Sequence, residues 1–167
     1  DRALGDMPFE EALERCAALE TEGISEDSWQ LKSKTLLMVR ERDGRIIGNL
    51  GVRWDVSEMV RRHMGRLGCG LRPSEQGQGY GKLGLYLGLK ELRKLGEPEA
   101  ILGCAVENIA SAKTIRALGG VWVWKEYWEA HDEWDDFYRI DVDDALAAFA
   151  GTYEPMIIEA PVTQTDN

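Results

Sequence analysis

The chain has 167 residues, 44% hydrophobic and 30% charged, with 20 basic and 30 acidic side chains giving a net charge of −10. That is the composition of one globular domain and not of a disordered chain. The acidic balance argues against a phosphate-dominated nucleic-acid binder. No apolar run approaches the ~18 residues of a membrane span, Leu36–Val39 being among the longest.

Solubility alone accounts for the acidic charge, although it would also draw in a cationic partner. The three cysteines, Cys16, Cys69 and Cys104, are odd in number and far apart, which fits neither a disulfide framework nor a zinc site. With only His63 and His131 as histidines, no metal is expected. A reducing, cytoplasmic setting follows from the cysteine usage. The first residues carry acids where a secretory signal carries a basic and then an apolar stretch, and the opening at Asp1 suggests a trimmed N-terminus.

Met7–Glu22 reads as a helix with Phe9, Leu13, Cys16 and Ala17 on one face. Thr35–Arg40 and Arg45–Trp54 read as strands joined at Asp43-Gly44, a two-residue hairpin signal. Asp55–Met64 is expected to be a polar connection. Arg66–Arg72 is a further strand, in which Gly68 and Gly70 suggest a bulge or a close backbone approach. A glycine-rich segment then leads into a helix from Gly79 to Leu95, with a Leu85, Leu89, Leu92 stripe. Gly84 and Gly88, four apart, would let that helix press closely on a sheet.

Ala100–Val106 is a strand. Asn108 opens a short helix that Gly119-Gly120 closes. Val121–Glu129 and Trp134–Val142 are strands about a turn, with Trp122, Trp124 and Trp128 on one parity and read as sheet packing. Trp54 and Trp134 sit near connections, where they could line a pocket beside the acids Asp132, Glu133, Asp135 and Asp136. Asp143–Phe149 is a last helix. Residues 1–154 are expected to form one domain and residues 155–167 a loose tail. The order is that of a mixed α/β layer fold around one sheet.

The segment from Arg72 to Lys82, Arg-Pro-Ser-Glu-Gln-Gly-Gln-Gly-Tyr-Gly-Lys, is where a strand ends, glycines follow and a helix begins. Backbone N–H groups at such a junction form an anion site suited to a pyrophosphate. A Walker A loop fails, because Gln76 stands where its first glycine belongs and Leu83 where its hydroxyl belongs. A dinucleotide fingerprint is formally present at Gly79, Gly81 and Gly84, but inside the helix pattern and without an early βαβ unit. Gln76-Gly77-Gln78-Gly79-Tyr80-Gly81 fits every fixed position of the pattern Gln/Arg-x-x-Gly-x-Gly/Ala.

On that hexapeptide, the preceding Arg72-Pro-Ser-Glu75 and the downstream Val106-Glu-Asn108 to Gly119-Gly120 element, the sequence resembles the GNAT superfamily of N-acetyltransferases. The resemblance spans roughly Lys34 to Tyr138 and is closest from Gly65 to Gly120. It implies a mostly antiparallel central sheet with splayed middle strands, flanked by helices, and acetyl-CoA as co-substrate with no metal. The pantetheine arm would pair with backbone near Leu71 and Arg72. Gln76, Gly77, Gln78, Gly79, Tyr80, Gly81 and Lys82 would form the phosphate loop, with the N–H groups of Gln78 to Lys82 on the pyrophosphate. Asn108 and Ser111 would line the arm near the sulfur. A backbone N–H near Leu71 would be the oxyanion donor.

The implied reaction is direct attack of a primary amine on the thioester, with a small molecule or peptide as acceptor, one that the acidic charge would allow to be cationic. Many relatives carry a tyrosine acid seven residues after the Asn; here that position is Ile115. Asn108, Ser111, Glu58 and His63 are the candidate catalytic residues, with Asp55 and Glu75 as further candidate bases. Cys69 and Cys104 read as buried apolar strand residues and not as nucleophiles. A CoA-binding module without catalysis and a nucleotide-dependent oxidoreductase are the rival readings. The aromatic strands Val121–Glu129 and Trp134–Val142 offer an edge for a homodimer.

Overall fold

The computed structural model describes residues 32–129 and 132–158, together with Glu11, Glu14, Ala17 and Ala18. Those four are helical; the rest of the expected Met7–Glu22 helix lies outside the described residues, as do His131 and residues 159–167.

β1 (Lys32–Arg40) and β2 (Arg45–Trp54) pair antiparallel, and β3 (Leu67–Leu71) adds to β2. The β1–β2 connection is the four residues 41–44 and not a two-residue loop. The N–H of Gly44 returns to Arg40 O at 2.9 Å, with Gly44 itself at φ 65°. Asp55–Met64 is more than a polar connection. It contains helix α1 (Glu58–His63), whose first turn is capped by Ser57 Oγ accepting from the Val60 N–H, and Val60 is fully buried. Helix α2 (Tyr80–Lys94) follows β3 and leads to β4 (Glu99–Ala105). Helix α3 (Ile109–Ala117), β5 (Val121–Trp128), β6 (Glu133–Asp141) and helix α4 (Val142–Tyr153) complete the fold.

The strands form two three-stranded antiparallel sheets, β1-β2-β3 and β4-β6-β5. Between them the described hydrogen bonding is one bond, Arg66 N–H to Ile101 O at 2.7 Å. Gly65, at φ 65°, lies so close to β4 that a Cβ there would stand 2.7 Å from the same Ile101 oxygen. Beyond this apex β3 and β4 have no common ladder, which is the splayed arrangement expected of the middle strands.

The core sits between the sheets and α2. Leu85, Leu89 and Leu92 are buried against Leu50, Val52, Leu67, Leu102 and Ile140. Gly84 and Gly88 bring the helix onto the first sheet. A Cβ on Gly84 would come within 2.7 Å of Cys69 Sγ, and one on Gly88 within 3.0 Å of Leu67 Cδ2. At the far end Tyr86 Oη donates to Glu154 Oε1 at 3.0 Å and Lys90 pairs with Glu154 Oε2 at 3.0 Å. Residues Glu154–Met156 form a turn of 3-10 helix and Ile157 packs on the core, so the chain is held beyond the expected start of a loose tail.

Two further expectations change. The β2–β3 register runs without a shift, so Gly68 and Gly70 do not make a bulge; what approaches them are the side chains of Arg53 and Asn49 on β2. A bulge lies instead between Trp122 and Trp124, which breaks the shared parity of the tryptophans. Trp124 stacks on Phe137 at 5.0 Å, whereas Trp122 is half exposed and donates to Asp136 Oδ1 at 2.9 Å.

Replacing Gly88 by valine overfills the contact with Leu50 and Leu67. The expected loss is about 1–3 kcal/mol, beyond any gain in helix propensity, and urea unfolding measures it.

Candidate active site

The loop between β3 and α2 leaves its N–H groups unpaired. From Gly77 through Gly81, five successive N–H groups donate to nothing among the described residues. Gly77 (φ 75°) and Gly79 (φ 89°) adopt left-handed backbone, which turns successive amides toward one side. Gly79 is also the N-cap of α2 and supplies no side-chain acceptor, so the helix end keeps its positive pole open. The run begins and ends one residue earlier than expected, because the Lys82 N–H is engaged by Gly79 O at 3.1 Å.

A buried carboxylate anchors this loop. Glu75 is 3% exposed and takes Arg40 Nη1 on Oε2 at 2.8 Å, with Arg45 Nε at 3.5 Å from Oε1. Arg40 is held in turn by Asp43 and then by the Tyr80 hydroxyl, both of which raise its affinity for its proton. The same guanidinium holds the Asp43 carboxyl down at about 2, so acid does not break the Arg40–Asp43 pair until the pH falls toward that value. Gln78 Nε2 donates to Ser74 O at 3.1 Å, and Gln76 Nε2 reaches Leu71 O at 3.4 Å. Glu75 is therefore a strut of the loop and not a free base.

The gap between the sheets is bordered by strand edges whose parity two bonds fix on each side. On β3, Arg72 N–H goes to Ile47 O and Arg53 N–H to Arg66 O, so Gly68 and Gly70 face β2. The N–H groups of Cys69 and Leu71 consequently face the gap. On β4, Val106 N–H goes to Trp134 O and Val142 N–H to Pro98 O, so Gly103 and Ala105 face the gap. Ala105 O is taken by the Asn108 N–H at 2.8 Å. Amides of an extended arm can pair with these edges as an added strand does. Arg72, expected beside Leu71, has its N–H committed to Ile47 O and its Nε to Ile46 O at 2.6 Å.

Asn108 caps α3: its Oδ1 accepts from the Ser111 N–H at 3.0 Å, which leaves the Nδ2 group for another acceptor. Ser111 is half-buried in the first turn. Gly81 brings α2 to both strand and helix, since a Cβ there would lie 3.7 Å from Thr114 Oγ1 and 3.8 Å from Leu71 Cδ1. Lys82 is exposed one residue further on. Ile115 is buried in the core, so nothing at that position can act as an acid.

Among the candidate bases, Asp55 pairs with Lys32 Nζ at 2.8 Å and Glu75 is occupied. The Glu58 side chain lies outside the described residues. His63 ends α1, two residues before the apex glycine Gly65, with its ring 6.0 Å from that of Trp128. The thiols are poor nucleophiles. Burial, followed by Asp136 and Asp135, pushes the Cys104 thiol up to about 11, and burial raises Cys69. Cys69 is not buried as a whole residue, contrary to expectation; it is exposed along the gap while its Sγ rests against Gly84. The Glu75 anchor has no signature in sequence spacing, because it joins residues from separate elements.

A loop of unpaired amides ahead of a helix, beside two strands that part, defines an acyl-CoA-type transferase fold. The acetyltransferase (GNAT) family model matches residues 6–120, and the chain belongs to that family of N-acetyltransferases. No curated protein matches it in sequence. Among solved structures it is similar to a spermidine N-acetyltransferase chimera from Vibrio cholerae and hSSAT, with TM-score 0.61, 14% identity, and 86% and 85% of the two chains covered. It is also similar to a ribosomal-protein-S5-alanine acetyltransferase from Vibrio fischeri (TM-score 0.55, 20% identity, 67% and 63% covered). A third is a putative acetyltransferase from Salmonella typhimurium with its cofactor acetyl-CoA (TM-score 0.51, 20% identity, 61% of each chain). At these identities the likeness speaks to the fold alone.

Glu75→Gln leaves Arg40 and Arg45 facing a neutral group in a buried place. Urea unfolding should register a loss of about 1–3 kcal/mol, whereas Gln76→Ala at an exposed position should stay within about 0.5 kcal/mol.

Proposed function

We propose that the protein transfers an acetyl group from acetyl-CoA to a primary amine by direct attack within a ternary complex. The observation that carries this reading is the run of unpaired N–H groups from Gly77 to Gly81, which suits a pyrophosphate, ending beside the strand edge of Cys69 and Leu71. Asn108 Nδ2 and Ser111 Oγ, in the cap and first turn of the helix that follows β4, suit the amide-bearing arm.

When bound, acetyl-CoA supplies an acetyl group already activated as a thioester. The chain's own part is to orient it and to meet the charge that develops. The N–H groups of Cys69 and Leu71 are fixed in a paired strand and point into the gap, so they can donate to an oxyanion with no reorganisation. His63 is the side chain assigned to take the ammonium proton, from the C-terminal end of α1 next to the apex. With Ile115 in the tyrosine position, the leaving thiolate takes its proton from solvent.

Calorimetric titration tests the reading. Acetyl-CoA should bind saturably and NAD should not. Gly79→Val, which cannot keep φ near 89° without strain and crowds the amides, should weaken acetyl-CoA by about 10-fold or more. A folded protein that ignores acetyl-CoA overturns the reading. His63→Gln should lower kcat by about 10²-fold or more at unchanged acetyl-CoA affinity, read in a thiol-release assay with a responsive amine.

A further inference from the structure

The face of the first sheet turned away from α2 carries an arginine, Arg53, that pairs with nothing among the described residues. Leu50 and Val52 of β2 point into the core, so Asn49, Gly51 and Arg53 point the other way. Opposite them on β3 stand Gly70 and Gly68, and on this face the two strands therefore present a floor of three glycines, Gly51, Gly68 and Gly70. Asn49 and Arg53 lean over its two ends. The Arg53 Nη1 and Nη2 atoms lie 3.8 Å from where a Gly68 Cβ would be. Their half-buried guanidinium makes no hydrogen bond and no ion pair with any described residue. Burial lowers its affinity for the proton, and no carboxylate among the described residues pairs with it. At the Gly70 end the floor opens into a groove of about 360 Å³ bordered by Leu37, Ile46, Asn49 and Arg72.

Gly68 adjoins Cys69, whose N–H faces the gap where the proposed reaction takes place. A half-buried guanidinium one residue from that point, without a partner among the described residues, is an unfilled half of an ion pair. A carboxylate completes it with two parallel hydrogen bonds, and an ammonium would be repelled. A side chain at 70 would collide with Asn49 Oδ1, and one at 68 would crowd the Arg53 guanidinium, so the glycines keep both polar groups in place over the floor.

We infer that the acceptor is an amino acid-type amine whose carboxylate is bound by Arg53 over the Gly51–Gly68–Gly70 floor. This rests on the proposed acetyl-CoA reading, and the cationic acceptor allowed by the acidic net charge is its direct rival.

The test uses conjugates in which the CoA sulfur is joined through an acetyl bridge to an amine, titrated into the intact protein by calorimetry. Two carboxylates (glycine and 4-aminobutyrate), their neutral amides and a cationic 1,4-diaminobutane conjugate form the panel, with CoA itself as reference. At least one carboxylate conjugate should bind about 10-fold or more tighter than its amide. Arg53→Gln should remove that preference, and Arg53→Lys should keep part of it, while both keep the affinity for CoA. If amides bind as well as carboxylates, or the cationic conjugate binds best, the inference is overturned and the acetyl-CoA reading stands. If neither CoA nor any conjugate binds the folded protein, both fall. A preference that survives Arg53→Gln also overturns the assignment.

Discussion

Among the described residues one hydrogen bond, Arg66 N–H to Ile101 O, fixes where the two sheets meet, and the loop of unpaired amides follows β3 beyond the point where they part. Had the ladder continued, the amides of Cys69 and Leu71 would be spent on Gly103 and Ala105, as inner strand edges normally are. The core underneath explains why the parting is tolerated. Helix α2 packs through Gly84 and Gly88 on the first sheet and through Leu92 on the shared core, so one helix spans the join and holds both sheets at a set distance. Arg66 reinforces the apex from the other side, its guanidinium buried and paired with Glu97.

Glycine serves three distinct physical ends around this gap, and only one is conformational. Gly77 and Gly79 are needed for their left-handed backbone. Gly84 and Gly88 are needed for the absence of a Cβ between helix and sheet. Gly68 and Gly70 are neither bent nor pressed by backbone; they vacate the surface that Arg53 and Asn49 cover. A residue that packs by being small and one that turns by being flexible look the same in a sequence, which is why these were read there as signs of a bulge.

Much of the fold was legible from periodicity. The strand from Arg45 to Trp54, the helix after Gly79 and the cap at Asn108 lie where alternation, the leucine stripe and capping chemistry put them. Helix α1 was not, because six residues containing Arg61, Arg62 and His63 show no apolar stripe; among its described side chains Val60 is the buried one. The loop's amides were legible because they follow from backbone order. What holds the loop was not: Arg40 and Arg45 come from a hairpin some thirty residues before Glu75, and only the register of three strands brings them together. The exposure of Cys69 was equally hidden, since it arises from a missing neighbour strand and not from the residues around it in sequence.

The charge of the chain and the charge of the site have opposite signs, and distance reconciles them. A net charge of −10 is a property of the whole surface and fades beyond a Debye length of about 8 Å in physiological salt. Within the gap the nearest fixed partial charges are amide hydrogens and a helix N-terminus, and the nearest full charges on the first sheet are arginines. Arg40 and Arg45 are paired with the two carboxylates of Asp43 and Glu75, which leaves the loop's free donors as the amides of Gly77 to Gly81. Arg53 faces glycines and not acids across β3. A chain that is acidic overall can therefore still group neutral amide donors and arginines on one sheet and the loop that follows it.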